Sequence, residues 1–558
     1  MRIRTWLSLL SAGVSVLGSH CAIAETSAND QRVAQVFADF ASGVQPGCAA
    51  GVVQGGKLVH SGAYGYSSIE DGRKLTTDSL FNIASMSKEF TAMAILLLEQ
   101  RGKLSLEDSI RKHVPELGAY AEGITLRQVL HHVGGLGDGG ELMGMRGNTE
   151  ASRVDMKAWM HALSKLKSPQ GPPGEHYEYS NTGYFLLAVT VERVSGVRFT
   201  KFLNDNIFAP LQMTHTFVPD EYPVKDPLRA RAYKRDGRNG FTREESLWWV
   251  IGSSNVFTSI NDFAKWDANF VTGQVGGRDV IARMQEAGVT RDGTRVDYGF
   301  GVRLTGHRQY RSIGHPGAFD GYRSDFRHFP DAKLGVIVLC NRTDSDAWGR
   351  SLKIAEIYLN DGKPAGLPWD AREMAKVQGA GDLAQMPAGL YRETWTGSYV
   401  TLEKDGGELR FREGRTAYPI ETVAPHGYLV TLGDANSYYA QTYMAFVPKP
   451  ASGPPRFNGL FYGEPVEYAR VQEWKPGSLD GYVGRYHSEE LEQDYTLAEK
   501  AGRLVLTTPT GEQKLRPADA NHFYGYYVLE FAPGESPAKG FRLNAPGVRN
   551  ILFRRTGG

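Results

Sequence analysis

The first residues that could do chemistry are Ser85-Met86-Ser87-Lys88. A serine hydroxyl is a poor nucleophile at neutral pH and needs a neighbour to take its proton. At the start of a helix, residues three apart share a face, so Lys88 can reach Ser85. A lysine held in a dry pocket loses its charge, and a neutral amine is a base. A helix N-terminus adds a field that favours a developing oxyanion. Alone, the spacing is weak, because S-x-x-K arises by chance wherever a serine caps a helix and a lysine is solvated.

Two further groups follow in order. Pro173-Gly174 leads into Tyr177-Glu178-Tyr179-Ser180-Asn181-Thr182-Gly183-Tyr184. A turn at Tyr179-x-Asn181 puts a phenol and an amide on one side, the first able to relay a proton and the second to bind a carbonyl. The plainer role for such a tyrosine is packing. Gly314-His315-Pro316-Gly317-Ala318 comes third, ahead of a strand-rich segment where glycine lets a substrate backbone approach closely.

These groups need a scaffold. Ser87 to Arg101 is apolar all round, as a buried central helix is, and Gly102 offers a stop. Residues 182–197 predict another apolar helix, followed by one near 199–205. Gly55-Gly56 between two strand-like runs reads as a hairpin, and Leu334 to Leu339 as a continuous apolar strand. Strands at both ends with helices between predict an α/β or α+β domain whose sheet joins its termini.

The pattern changes near residue 362, where a linker-like stretch runs to Pro368. Beyond 388 short alternating segments replace the helical period. Gly389, Tyr391, Leu402, Gly407 and Leu409 match Gly484, Tyr486, Leu497, Gly502 and Leu504, each pair 95 residues apart. Two copies of an all-β unit are predicted, 388–473 and 478–558, joined through WKPGS. Each has room for about eight strands, and closure into a barrel would remove exposed edges.

Composition excludes several classes. Lys and Arg total 63 against 62 acids, so no field favours nucleic acid. Arg2 and Arg4, the apolar run Trp6 to Leu17, and Ala22-Ile23-Ala24 have the layout of a secretory signal peptide, residues 1–24. No later run suits a membrane span. The expected location is periplasmic or secreted. Of three cysteines, Cys48 and Cys340 remain after cleavage, as a disulfide or as two buried thiols. His131 and His132 lack partners at metal-ligand spacing, and neither a metal nor a cofactor is expected.

Together, S-x-x-K, Y-x-N and H-x-G resemble the serine β-lactamase and penicillin-binding protein superfamily, in its class C β-lactamase-like branch. ITLRQVLHHVGGL (124–136), YSNTGYFLLAVTVERVSG (179–196), FAPLQM (208–213) and YGFGVRL (298–304) are also similar to that branch. The resemblance covers about 45–345. It implies a catalytic domain over 25–362, an antiparallel sheet flanked by helices, followed by two antiparallel, lipocalin-like β-barrel domains. It implies that Ser85 forms an acyl-enzyme and that Lys88 and Tyr179 share the proton work. Asn181, His315 and Gly317 would bind substrate, and the backbone N–H groups of Ser85 and Ala318 would form the oxyanion hole. Asp320, Tyr322 and Arg323 could line the pocket, though a structural role suits them better.

The third motif bears on substrate. The family's K-T-G lysine and threonine help to bind a carboxylate. Here Pro316 has neither hydroxyl nor N–H, and His315 is at best partly charged near neutral pH. The layout with two barrels resembles the bacterial D-aminopeptidase family, with YVGRYHSEELEQDYTL (482–497) similar to the start of its last domain. That resemblance implies a D-stereospecific aminopeptidase, peptidase or amidase, with a small peptide, amide or ester as substrate. An esterase or β-lactamase-like hydrolase is the alternative, and a penicillin-binding sensor with little turnover is another. It also implies a loop of the last domain entering the cleft with an acid. Pro533 to Lys539 corresponds, with Glu535 as its acid, although the segment is short. A homodimer is one assembly open to such a chain.

Overall fold

The structure is a computed structural model. It describes residues 28–359 and 386–556, apart from 150, 221–223, 238–239, 407, 414–415, 425–426, 432–440, 447–453, 462–463, 473 and 536. The expected signal peptide, the linker after 362 and Gly407 of the repeat lie outside the described residues.

The sheet of the first domain is antiparallel and joins both ends of its segment, as its apolar runs predict. Its order is Arg303–His307, Tyr310–Gly314, Tyr322–Phe329, Leu334–Cys340, Cys48–Gln54 and Lys57–Tyr64, with Pro316–Phe319 added against Tyr322–Phe329. Cys48 lies directly opposite Cys340, and the two form a disulfide. Of the two alternatives for these cysteines, register selects the bond. It closes a loop with a sequence separation of 292 residues.

The helix Ile260–Thr272 packs on this sheet, and the helix Lys88–Gln100 is buried on every side as far as Leu98. The sequence of Lys88–Gln100 lacks a polar stripe because other helices surround it, Asn181–Ser195 and Gly277–Met284 among them, and Ile260–Thr272 through Phe263 and Trp266 against Phe90. Ser180 caps Asn181–Ser195, its hydroxyl accepting from the Gly183 N–H, and left-handed Gly196 ends it. Glu89 faces away from the cleft, into a buried polar layer. It accepts from the Trp266 indole at 2.6 Å, near Asp267, which binds His328 at 2.7 Å. Asp320, Tyr322 and Arg323 hold the fold. Tyr322 donates to the Ala230 carbonyl, Asp320 accepts from the Ser246 N–H, and Arg323 binds carbonyls of its own turn.

The two β units repeat in register as well as in sequence. Gly389 pairs with Leu402 in the first, and Gly484 with Leu497 in the second. Tyr391 and Tyr486 are fully buried, and each donates to a carbonyl four residues earlier. The first unit is a closed barrel of eight strands. The second has nine, and its end strands, Gly511–Lys514 and Arg516–Pro517, do not pair with each other. Leu515 between them bends inward and donates its N–H to Leu504. No helix among the described residues is long and apolar enough to cross a membrane.

Candidate active site

Ser85 lies in the short 3-10 turn Ala84–Ser87 that leads into the helix Lys88–Gln100. Ala84 just before it has φ +50°, a left-handed conformation costly for alanine. The Asn82 side chain accepts from the Ala84 N–H and in turn donates to Asn255, which pins this turn. The Ser87 hydroxyl accepts from Val256 on the other side. The strand Pro316–Phe319 presses on the same turn at Gly317, where a Cβ would meet the Ile83 carbonyl at 2.3 Å. Glycine is required there, and Ala318 follows on the exposed edge of that strand.

Lys88 is fully buried. Its Nζ is 3.1 Å from Ser85 Oγ, 2.8 Å from Asn181 Oδ1 and 3.0 Å from the Ser253 carbonyl. Burial pushes its pKa well below the usual lysine value. Asp138 pulls the other way and Arg303 adds to the depression. Three acceptor-like neighbours would suit an ammonium, but a neutral amine also fits. Its two N–H bonds serve Asn181 and Ser253, which can only accept at those oxygens, and its lone pair then faces the Ser85 hydroxyl.

The Ser253 carbonyl reaches Lys88 because Gly252 beside it has φ +89°. A Cβ there would meet the Tyr184 carbonyl at 2.3 Å. Asn181 is fixed from its far side, its Nδ2 and backbone N–H both donating to Asp138 Oδ2 at 3.0 and 3.3 Å. Asp138 also caps the short helix after it, accepting from Gly140 and Glu141. The chain Asp138–Asn181–Lys88–Ser85 is therefore continuous.

Tyr179 packs its ring 4.7 Å beneath Lys88 Nζ. The backbone on either side of it is tied to one residue: Glu178 N–H donates to the His132 carbonyl, and Ser180 N–H to His132 Nδ1. His132 stands among the rings of Tyr177, Tyr179, Tyr184 and Tyr298 and is held neutral, first by burial and then by Lys88.

His315 is buried rather than set at an open rim. Its Nδ1 lies 2.6 Å from the Pro316 carbonyl, which can only accept, so Nδ1 carries the proton and Nε2 accepts from Tyr298 Oη at 3.1 Å. Burial, with Arg303 and Lys88 nearby, drives its pKa well below the usual histidine value. His315 brings no positive charge to this site.

The sequence motifs thus meet: Ser85, Lys88 and Asn181 touch, Tyr179 lies under Lys88, and Gly317 packs on the serine's turn. Reading by motif missed Asp138, Ser253, Tyr298 and Arg303. Asp138 sits two residues after LHHVGGL and had no partner visible in sequence. Ser253 contributes a carbonyl, which every residue has. Glu535 does not form the expected acid of the cleft. It is solvated and pairs with Lys539, while Ala538 binds Gly481, so that segment is tied to its own domain. Other parts of the last β unit reach the catalytic domain instead. Tyr526 donates to Glu141 at 2.6 Å, and the Gly547 carbonyl accepts from the Asp138 N–H at 2.7 Å.

Comparison with known proteins agrees with this geometry. The family model described as Beta-lactamase matches residues 32–359, more than half of the chain. Penicillin-binding protein 4* of Bacillus subtilis (strain 168) is 28% identical over 56% of this chain and 72% of its own length. The D-aminopeptidase of Brucella anthropi is 24% identical over 82% of each chain. In fold, the octameric penicillin-binding protein homologue from Pyrococcus abyssi superposes with TM-score 0.55 at 22% identity, over 79% of this chain and 99% of its own.

Proposed function

The chain belongs to the beta-lactamase family of serine hydrolases, and from that premise we propose that it is an exported D-aminopeptidase or D-amino acid amidase working through an acyl-enzyme on Ser85. The observation that carries the mechanism is Lys88 Nζ at 3.1 Å from Ser85 Oγ, with Asn181 and Ser253 taking its other valences. Ser85 Oγ attacks the carbonyl carbon of the scissile amide as its proton passes to the Lys88 amine. The N–H groups of Ser85 and Ala318 receive the oxyanion. The tetrahedral adduct collapses, the C–N bond breaks, and the leaving amine takes a proton from Lys88 or through Tyr179. Water then attacks the ester carbonyl as Lys88 takes its proton; the bond from the acyl carbon to Ser85 Oγ breaks, the acid leaves, and the proton passes from Lys88 to Ser85 Oγ.

Substrate class follows from what surrounds the third motif. With Pro316 in place of a hydroxyl residue and His315 neutral, a free substrate carboxylate has no cation from that motif. A substrate presenting its N-terminal side and a neutral leaving group suits such a site better than a penicillin or a C-terminal carboxylate. The relative matched over 82% of both chains, itself a D-aminopeptidase, supports the same reading. The missing carboxylate partners equally suit a neutral ester, so esterase activity is the second reading. Export is supported by the Cys48–Cys340 disulfide, a bond that persists in oxidising compartments. The test is a panel of D- and L-aminoacyl p-nitroanilides, p-nitrophenyl esters and nitrocefin. The D-anilides should be turned over fastest. Ester turnover without D-amide cleavage would overturn the first reading.

A further inference from the structure

The turn between the strands Gly540–Ala545 and Val548–Arg555 of the last β unit lies against Gly137 and Asp138, and Arg549 in the second of these strands reaches Glu178, the residue before Tyr179. Gly547 makes the turn possible. Its φ is +72°, and a Cβ would meet that of Asp138 at 3.1 Å. Its carbonyl accepts from the Asp138 N–H, and Asp138 holds Asn181. Two residues on, Arg549 forks onto Glu178, Nη1 to Oε1 at 2.8 Å and Nη2 to Oε2 at 2.5 Å. Its Nε donates to the Gln170 carbonyl at 2.7 Å, and its N–H to the Gln170 side chain.

Both partners are nearly out of water, at 7% and 13% side-chain exposure. Trp395 of the first barrel closes the junction. Its ring lies 4.8 Å from the Arg549 guanidinium and 3.8 Å from the His176 ring. Gly171 leaves space for it, since a Cβ there would collide with the indole at 2.7 Å. Glu178 is the residue between Tyr177 and Tyr179. Its carboxylate is held by one β unit and its backbone by His132. Burial raises its pKa while Arg549 pulls it down, so the ion pair is costly to form and more costly to break.

We propose that Arg549 is a positioning residue of the catalytic centre: gripping Glu178 with Trp395 behind it, it sets the turn that presents Tyr179 and Asn181 to Lys88, so both β units are working parts of the site. This rests on Ser85 as nucleophile and adds to that reading the dependence of its reactivity on distant domains. Truncating Arg549 leaves Glu178 buried and unpaired, and the turn shifts to bring it to water. A displacement of about 1 Å at a reacting group can cost on the order of 100-fold in rate.

The experiment uses the full chain and the rate of Ser85 labelling by a fluorophosphonate, beside kcat and KM for a D-aminoacyl p-nitroanilide. Arg549→Met should slow labelling and kcat by roughly 10- to 100-fold with KM changed less than about threefold. Arg549→Lys, keeping the charge but not the fork, should recover part of the loss. Glu492→Gln is the control. It breaks another contact between the same two domains, with Arg146, His161 and Lys165, and should leave labelling within about twofold. A folded Arg549→Met labelled as fast as the unmodified chain overturns the proposal, as does an equal loss in Glu492→Gln. If Arg549→Met does not fold, Glu178→Gln, of the same shape, decides by the same criterion. If the unmodified chain is not labelled at Ser85, the nucleophile assignment falls and this proposal with it. Normal labelling without D-anilide turnover sinks only the substrate reading.

Discussion

Lys88 donates to Asn181 Oδ1 at 2.8 Å, and this contact decides where the lysine's lone pair can point. With the Ser253 carbonyl holding the second N–H, the remaining direction is Ser85. Burial keeps the amine neutral at lower pH than an exposed lysine. A base with a depressed pKa works above that pKa and fails as protons return. Activity should therefore show one acid limb, falling as pH drops through the Lys88 value, and Lys88→Met should lose about 1,000-fold or more in kcat. A pH–rate profile of kcat/KM checks the limb. An unmodified-like rate in a folded Lys88→Met places the base elsewhere.

Asn181→Asp tests the same contact by charge. A carboxylate beside Lys88 favours the ammonium, so the Lys88 pKa rises and the acid limb moves to higher pH. The new charge also faces Asp138, which now receives two N–H groups from Asn181. The expected result is a loss of about 100-fold in kcat at pH 7, partly recovered at pH 9. A loss that is the same at both pH values would argue that Asn181 acts on substrate alone.

Pro316→Thr addresses specificity. Pro316 opens its strand opposite Asp325, and threonine there adds a hydroxyl next to the buried His315. One hydrogen bond to a carboxylate is worth about 1.5–3 kcal/mol. The ratio of nitrocefin to p-nitrophenyl ester turnover should rise by roughly tenfold. An unchanged ratio would show that Pro316 is not what excludes carboxylate substrates.

Cys48→Ala with Cys340→Ala should lower unfolding stability by about 2–4 kcal/mol, because the bond closes nearly the whole catalytic domain into one loop. Activity at 25 °C should stay within about twofold, since both cysteines lie in the sheet core on its far side from the cleft, among Val33, Phe37 and Ile354. Thermal melts with and without reductant provide the comparison.

What could be read from sequence divides by distance along the chain. Ser85 and Lys88 are one helical turn apart, and Tyr179 and Asn181 one turn of loop, so local geometry alone puts each pair together. The barrel repeat was equally legible, because Gly389 and Leu402 recur as Gly484 and Leu497 in the same ladder position. The Cys48–Cys340 bond needed strand register, which spacing does not supply. The grip of Arg549 on Glu178 had no local signal, since an arginine near the chain's end looks like any solvated one. Glu535 failed for the converse reason. It was the only acid in its segment, but Lys539 four residues on offered it a nearer partner.

The last prediction concerns Glu89, next to Lys88 in sequence but turned away from the cleft. It is fully buried, accepts from Trp266, and stands near Asp267 and Asp325. Burial raises its pKa well above the usual carboxylate value, and the two aspartates add to the rise. A carboxyl whose folded pKa is raised binds its proton more tightly folded than unfolded. Its contribution is fully present below the unfolded pKa and is lost as pH rises towards the folded one. Stability should therefore decline from mildly acid to mildly alkaline pH. Asp267 and Asp325, the latter raised to about 6, act in the same direction. Glu89→Gln keeps an oxygen for Trp266 and removes the titration. Its Tm should exceed that of the unmodified chain at pH 8 by more than it does at pH 5. Equal Tm differences at the two pH values would mean that Glu89 is ionised in the folded chain as it is in the unfolded one, and that burial does not raise its pKa.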